Sequence, residues 1–244
     1  LTPDRYGRWD AGRPSSARAS LRIALIGREA DHRLVYPATL GSLGDAAASL
    51  GLTLDVHFFA PVSLSAELHE LHLFQGVVLP GGSSMAAVNG QIRVAEDTLN
   101  RGQPTLGLCL GMQSMMTAAV RRSPGFESAI PAEVAPHEAL HSFVPFADGR
   151  HRCGVFPFSS GLIPGDVHEM HYNHRYCFNT DLLPALSPGG VSVSAQRDGI
   201  VEAVSQPELP FWHGVQGHPE LMSRPDAPHP LFVAFLQVAL NAPA

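Results

Sequence analysis

Short apolar runs alternate with helical stretches through the first half of this chain of 244 residues. Strand-like runs, apolar and short enough to be buried strands, are predicted at residues 22–26, 52–59, 76–79 and 104–108. Helices are predicted at residues 36–50, where Gly51 ends the pattern, and at residues 85–101. This β-α-β-α order predicts a mostly parallel sheet covered by helices on both faces, with the functional loops at the carboxyl ends of its strands.

The second half of the chain has a different pattern. From about residue 143 the helices thin out, and short strands are predicted at residues 168–178, 191–195, 200–205 and 211–216, before a closing helix at residues 230–240. The fold class is therefore predicted to be α/β, with a more β-rich C-terminal half. Residues 21–244 are expected to form one domain. Residues 1–20, with four arginines among Ser, Pro and Gly, are expected to form a flexible leader, and a targeting or docking tail is the alternative.

Composition excludes several classes of partner. The formal net charge is -6 and the pI is near 6.1, and no long basic run occurs, so neither nucleic acid nor an anionic membrane is an expected partner. No apolar run approaches the roughly 18 residues of a membrane span. Three cysteines, an odd number without C-x-x-C spacing, suit a reducing compartment, and a cytoplasmic location is expected.

Cys109 lies in the run Gly107-Leu108-Cys109-Leu110-Gly111-Met112-Gln113, between an apolar strand and a helical stretch. Glycines on both sides permit a tight strand-to-helix turn that carries the cysteine out of the end of the sheet. The sulfur then lies over a helix N-terminus, where the dipole and free N–H groups favour negative charge. This arrangement predicts a cysteine nucleophile.

A cysteine nucleophile needs a proton carrier, and the run His218-Pro219-Glu220 supplies a candidate. His218 is expected to serve as the base. Glu220 is expected to project to the same side of an extended segment and to hold the other ring nitrogen. Together these residues predict attack on an amide carbonyl through a thioester.

These motifs resemble those of the class I, triad-type glutamine amidotransferase family, and within it those of the glutaminase domain of CTP synthase. Further stretches that resemble that domain are Pro80-Gly81-Gly82, Glu133, His174-Arg175-Tyr176 and residues 225–232. The resemblance covers about residues 22–240. It implies a flavodoxin-like, three-layer fold and the hydrolysis of the side-chain amide of L-glutamine, and no cofactor or metal is implied.

Residue by residue, the resemblance implies specific roles. Cys109 would be the nucleophile, His218 the base and later the acid, and Glu220 the orienting carboxylate. The N–H groups of Gly82 and Leu110 would form the oxyanion hole. The implied contacts to glutamine come from Gly82, Leu110, Gly111, Met112, Gln113, Glu133 and Arg175. Among them, Glu133 would bind the α-ammonium group.

The chain also departs from this family. Gly217 occupies the position before His218, where the family usually has an aromatic residue. We expect this glycine to hold the base His218 less firmly or to widen the pocket. Residues 149–154 differ from the lid segment that CTP synthase carries at this place. The amidoligase domain that would bind ATP and UTP is also absent from the sequence. We therefore expect that the chain does not make CTP by itself, and that ammonia passes to a separate synthase or ligase.

Other interpretations of the same residues remain. A metal site could be assigned to His168, His171 and His174, but on a strand their side chains would alternate between the two faces. The run from Gly81 to Ser84 lacks the G-K-[ST] sequence with which a phosphate-binding loop ends. Cys153 and Cys177 are expected to be ordinary half-buried residues. Two alternative functions stay open: a γ-glutamyl amide or peptide hydrolase with the same triad, and a non-catalytic binding module.

Overall fold

The computed structural model describes residues 20–62, 68–82, 85–161, 163 and 168–242, so the predicted leader lies almost wholly outside the described residues. The strands are β1 (Ser20–Leu25), β2 (Thr53–Phe58), β3 (Gly76–Leu79), β4 (Thr105–Leu108), β5 (Phe143–Pro145), β6 (Arg152–Phe158), β7 (His168–His174), β8 (Tyr176–Phe178), β9 (Ser192–Arg197), β10 (Ile200–Ser205) and β11 (Trp212–Val215). The α-helices are α1 (Glu29–Leu34), α2 (Ala38–Ser49), α3 (Val88–Arg101), α4 (Leu110–Arg121) and α5 (Pro230–Asn241). Short 3₁₀ helices cover Leu68–Leu73, Met85–Ala87, Thr180–Gly189 and Pro219–Leu221.

The main sheet has seven strands in the order β2-β1-β3-β4-β11-β10-β9. The pairs from β2 to β11 are parallel, and β10 and β9 add antiparallel pairs at one edge. One hydrophobic core packs α3 and α4 against one face of this sheet, and a second core packs α2 and α5 against the other. The predicted three-layer α/β fold, mostly parallel and with a β-rich C-terminal half, is confirmed.

Several boundaries differ from the prediction for identifiable reasons. The helix expected from residue 36 begins at Ala38, because Pro37 disfavours helical geometry in the residue before it. Helix α1 was not predicted. The single strand expected over residues 168–178 is two strands, because the chain changes partner at Arg175: β7 pairs with β6 and β8 pairs with β5.

The two-stranded ribbon of β6 and β7 is attached to the main sheet by a buried ion pair. Arg152 on β6 contacts Glu202 on β10, and both side chains are at least nine-tenths buried. The guanidinium of Arg152 also lies 3.9 Å from the ring centre of Tyr172 on β7. The ribbon is thereby held in a defined position relative to the strands that carry the candidate site.

None of the helices that the structure describes is long and apolar enough to cross a bilayer. All three cysteines are free thiols. Cys177 is half-buried as expected, whereas the same expectation for Cys153 is wrong. Cys153 is exposed, because it lies on the two-stranded ribbon outside the main sheet.

Candidate active site

Cys109 forms a strained turn between β4 and α4. Its φ is 49° and its ψ is -104°, a backbone conformation that costs energy for a residue other than glycine. The flanking glycines are required by close packing. A Cβ on Gly111 would overlap the carbonyl oxygen of Leu79, and a Cβ on Gly107 would lie 2.9 Å from the backbone nitrogen of Met112. The predicted sharp turn is confirmed, and it places the cysteine at the carboxyl end of the sheet.

His218 and Glu220 follow β11, the parallel neighbour of β4. The Nδ1 atom of His218 lies 2.8 Å from Oε1 of Glu220, and their side chains are only 16% and 8% exposed. The predicted contact is present, but the extended backbone is wrong. Glu220 lies in the 3₁₀ turn Pro219–Leu221, since Pro219 restricts φ to a helix-compatible value at the first position.

The imidazole of His218 lies beside Cys109. A Cβ added to Gly81 would be 3.3 Å from Cε1 of His218 and 3.5 Å from Cβ of Cys109, so the two side chains flank the same glycine. Burial alone would lower the pKa of His218. Hydrogen bonds with Cys109 and Glu220, together with their negative charges, outweigh burial and raise this pKa well above its ordinary value. The geometry therefore favours an imidazolium at this position.

Strand β7 supports the backbone of His218. The N–H of His218 donates to the carbonyl oxygen of His171 over 2.7 Å. A Cβ on Gly217 would lie 2.8 Å from Sδ of Met170 and 3.0 Å from the same carbonyl oxygen. The wider pocket and looser base expected from Gly217 are therefore not found, because Met170 fills the space beside it.

A cavity of about 280 Å³ opens in front of Cys109. This cavity, the Glu133 pocket, includes five further predicted site residues, namely Gly82, Leu110, Gln113, Glu133 and Arg175. Gly111 and Met112, also predicted contacts, do not line it. Met112 is fully buried, and Gly111 packs against β3.

Two charged residues, Glu133 and Arg175, line the Glu133 pocket. Glu133 is on the rim, and partial burial raises the pKa of its carboxyl above the ordinary value. Within the part of the chain that the structure describes, no cation forms an ion pair with Glu133. Arg175 is exposed, and its carbonyl oxygen accepts a hydrogen bond from the N–H of Phe146 over 3.1 Å. A small zwitterion would find complementary charges here.

The structure adds residues that sequence reasoning missed. Gln216 is buried, and its side-chain amide lies 3.7 Å from the sulfur of Cys109. Asn173 and His151 line the Glu133 pocket, where their side chains are 2.6 Å apart. The signal available for Gln216 was a polar residue at the end of an apolar strand, two positions before His218.

The three histidines of β7 have separate surroundings. Nδ1 of His174 donates to the carbonyl oxygen of Tyr176 over 2.7 Å, and burial lowers the pKa of His174 to about 4. His171 lies against His218, with ring centres 6.3 Å apart, and His168 lies against His229. The described residues contain no group of three or more His, Cys, Asp and Glu side chains with the placement of a metal site.

Comparison with known proteins identifies the family of this chain. The family model for class-I glutamine amidotransferases matches residues 41–238. The chain belongs to the class-I glutamine amidotransferase family. It is a domain of the cysteine-nucleophile amidohydrolase type, similar to part of CTP synthase.

Individual relatives of this amidotransferase domain agree with that assignment. CTP synthase of Nostoc punctiforme is 34% identical over 90% of this chain, and CTP synthase of Prochlorococcus marinus is 32% identical over 90%. The chain spans only 44% and 43% of the lengths of these two relatives. Among solved structures, the glutaminase domain of Trypanosoma brucei CTP synthase, with bound acivicin, has the same fold. The two structures align with a TM-score of 0.85 at 24% identity, and the alignment covers 92% of this chain and 95% of that one.

Proposed function

We propose that this domain hydrolyses the side-chain amide of L-glutamine to glutamate and ammonia. In this mechanism the sulfur of Cys109 attacks the amide carbon, and His218 gives a proton to the departing nitrogen. Water activated by the same imidazole then hydrolyses the thioester. Glu220 accepts a hydrogen bond from the Nδ1–H group of His218, which leaves Nε2 for the sulfur and the leaving group.

The oxyanion that forms on the amide oxygen needs donors fixed in advance. Leu110 is the first residue of α4, so its N–H has no acceptor within the helix. Gly82 lines the same pocket after β3, and among the described residues, its chain neighbours aside, no atom lies within 4 Å of where its Cβ would be. We assign these two N–H groups as the oxyanion hole, at a site open to the substrate.

The Glu133 pocket suits the amino-acid end of glutamine. Glu133 supplies a carboxylate for the α-ammonium group, and Arg175 supplies a positive charge for the carboxylate end. A volume of about 280 Å³ is close to the lower end of the range for small-molecule sites. Gln113 lines the inner part of the pocket, while Gly111 and Met112 contribute by packing the turn that carries Cys109.

One observation carries this proposal: the hydrogen-bonded pair of His218 and Glu220 lies against a cysteine held at a strained turn, beside a pocket that Glu133 lines. These parts come from distant segments of the chain, and each has a separate role in amide hydrolysis. Membership in the amidotransferase family supports the same assignment.

Hydrolysis alone would waste glutamine, so we infer that the ammonia passes to a separate synthase or ligase. The relatives support this, since they are named CTP synthases and more than half of their length lies outside the region that matches. Three free thiols suit a reducing compartment, and we propose the cytoplasm.

Glutamate and ammonia release by the purified chain, with glutamine as substrate, tests this function. Cys109→Ala should abolish release, and Cys153→Ala, at an exposed thiol, should not change it. Acivicin is bound in the Trypanosoma brucei domain, so it is also a suitable probe for labelling of Cys109. Absence of both labelling and glutamate release, with candidate synthases present, would favour the alternative of a non-catalytic binding module.

A further inference from the structure

Two cavities meet at Cys109. The Glu133 pocket lies on one side, and on the other lies a cavity of about 440 Å³ that is lined by His218 and Glu220. This second cavity is called the His218 cleft. Three residues line both cavities, namely Gly82, Cys109 and Asn173. The reacting sulfur thus lies where the two spaces join.

The chemistry assigns a different part of the substrate to each cavity, and this step rests on the proposed function. The departing nitrogen takes its proton from His218, so it must lie next to that imidazole. Any group attached to the nitrogen then extends into the cavity that His218 lines, while the amino-acid end stays near Glu133. Ammonia, similar in size to a water molecule of about 30 Å³, would leave most of the 440 Å³ cleft unused.

The walls of the His218 cleft are mainly apolar. Val35, Tyr36, Pro37 and Ala38 form one side, and Leu221 lines it next to Glu220. Val35 and Leu221 are 61% and 52% exposed, so apolar surface is available at the mouth. No lysine or arginine belongs to the described residues that line the cleft. An apolar group would gain from burial here, whereas a carboxylate would find no free cation among these described residues, since the imidazolium of His218 is already paired with Glu220.

We propose that the domain also hydrolyses N-substituted glutamines, that is, γ-glutamyl amides of primary amines with aromatic or alkyl groups. The sulfur of Cys109 forms a bond to the amide carbon, the carbon–nitrogen bond breaks, and the amine leaves with a proton from His218. Water then converts the thioester to glutamate and restores the thiol. The His218 cleft holds the substituent of the amine and selects apolar amines over amino acids.

The test compares three substrates by glutamate release: glutamine, γ-glutamylbenzylamide and γ-glutamylglycine. We expect kcat/KM for the benzylamide to exceed that for γ-glutamylglycine by about tenfold or more, a difference typical of apolar selectivity in one pocket. γ-Glutamyl-p-nitroanilide provides a continuous assay, because released p-nitroaniline absorbs visible light.

Variants locate the selectivity in the cleft. Ala38→Phe fills the cleft and should lower benzylamide hydrolysis at least tenfold, with glutamine hydrolysis kept within about twofold. Val35→Asp, at an exposed position, should also lower benzylamide hydrolysis, because it adds a charge at the mouth of the cleft. This variant replaces Ala38→Phe in the test if Ala38→Phe does not fold. Leu34→Ala is the matched control, since Leu34 is 81% exposed and does not line the cleft.

The outcomes separate this inference from the proposed function. Hydrolysis of glutamine without hydrolysis of the benzylamide would overturn the inference and leave the glutaminase function intact. A preference for γ-glutamylglycine would also overturn it. Glutamate release from none of the three substrates, with no labelling of Cys109, would overturn both.

Discussion

The side-chain amide of Gln216 lies 3.7 Å from the sulfur of Cys109, with its Nε2 as donor. Its Oε1 accepts from Nε2 of Gln113, in the first turn of α4, over 3.4 Å. A buried amide is therefore oriented from one side so that its N–H group faces the sulfur. In the proposed mechanism Gln216 positions the sulfur of Cys109, and its N–H group contributes positive partial charge where that mechanism places negative charge.

We expect Gln216→Leu to lower kcat/KM for glutamine about 10- to 100-fold, because a hydrogen bond to a charged group contributes about 1.5–3 kcal/mol. The rate of Cys109 alkylation by iodoacetamide at neutral pH should also fall, because the sulfur loses its amide donor. A purely structural role would lower stability without changing this rate. Gln237→Leu, on helix α5 far from the sulfur, is the control.

Glu220→Gln should lower kcat/KM on the order of 10²- to 10⁴-fold, the range for loss of the orienting carboxylate of a triad. Burial lowers the pKa of His218, and the bonds and charges of Cys109 and Glu220 raise it, with the net shift upward. The imidazolium is present below this pKa and is lost as pH rises through it. Removing the charge of Glu220 lowers the pKa of His218, so the imidazolium is lost at a lower pH.

The measurement is the alkylation rate of Cys109 against pH. In Glu220→Gln the rate near neutral pH should fall more than the rate above the ordinary cysteine pKa of about 8.5. Glu208→Gln, at an exposed position, should leave the profile unchanged. An unaltered profile in Glu220→Gln would show that the carboxylate does not control the imidazole.

Glu133→Gln should raise KM for glutamine about 10- to 100-fold with little change in kcat, because a charge-assisted hydrogen bond contributes about 1.5–3 kcal/mol. Burial raises the pKa of Glu133, so its carboxylate is lost at a higher pH than that of an ordinary glutamate as pH falls. KM should therefore increase toward acid pH in the native chain but not in the variant. Glu138→Gln, exposed on the same loop, is the control, and a loss confined to kcat would contradict the role in binding.

Gly217→Ala should destabilise the fold by about 1–3 kcal/mol, since its Cβ would lie 2.8 Å from Sδ of Met170. Met170→Ala alone should cost about 2–5 kcal/mol, because it leaves a cavity. The double variant should cost less than the sum of the two, as the new methyl group enters that cavity. Urea unfolding measures all three. Gly161→Ala is the control, because no atom of the non-neighbouring described residues lies within 4 Å of the position of its Cβ. Strict additivity would contradict the packing argument.

Arg152→Met should cost about 3–5 kcal/mol in unfolding free energy, since it leaves the buried carboxylate of Glu202 without its nearest partner. Arg28→Met removes an exposed pair with Asp31 and should cost less than about 1 kcal/mol. Equal effects of the two substitutions would mean that the buried pair does not anchor the ribbon of β6 and β7.

Local patterns were sufficient for several elements and for the turn at Cys109. Strands β3 and β10 begin and end at the predicted residues, because short apolar runs bounded by polar or turn residues are local signals. The glycines around Cys109 similarly predicted a sharp turn. The break at Arg175 was not predicted, since both sides of it have strand-like residues and only the choice of pairing partner separates them.

The sequence by itself determined the alternating α/β order, the sharp turn at Cys109 and the His-Pro-Glu run that begins at His218. Tertiary structure decided which side chains meet. Parallel pairing of Gly107 with Gly214 and of Leu108 with Val215 places the ends of β4 and β11 side by side, which brings Gln216 to the sulfur. The packing of Met170 on Gly217 and the cleft beside His218 depend likewise on segments distant in sequence. Periodicity describes only how a residue relates to its neighbours along the chain, so contacts between elements depend on sheet order and packing.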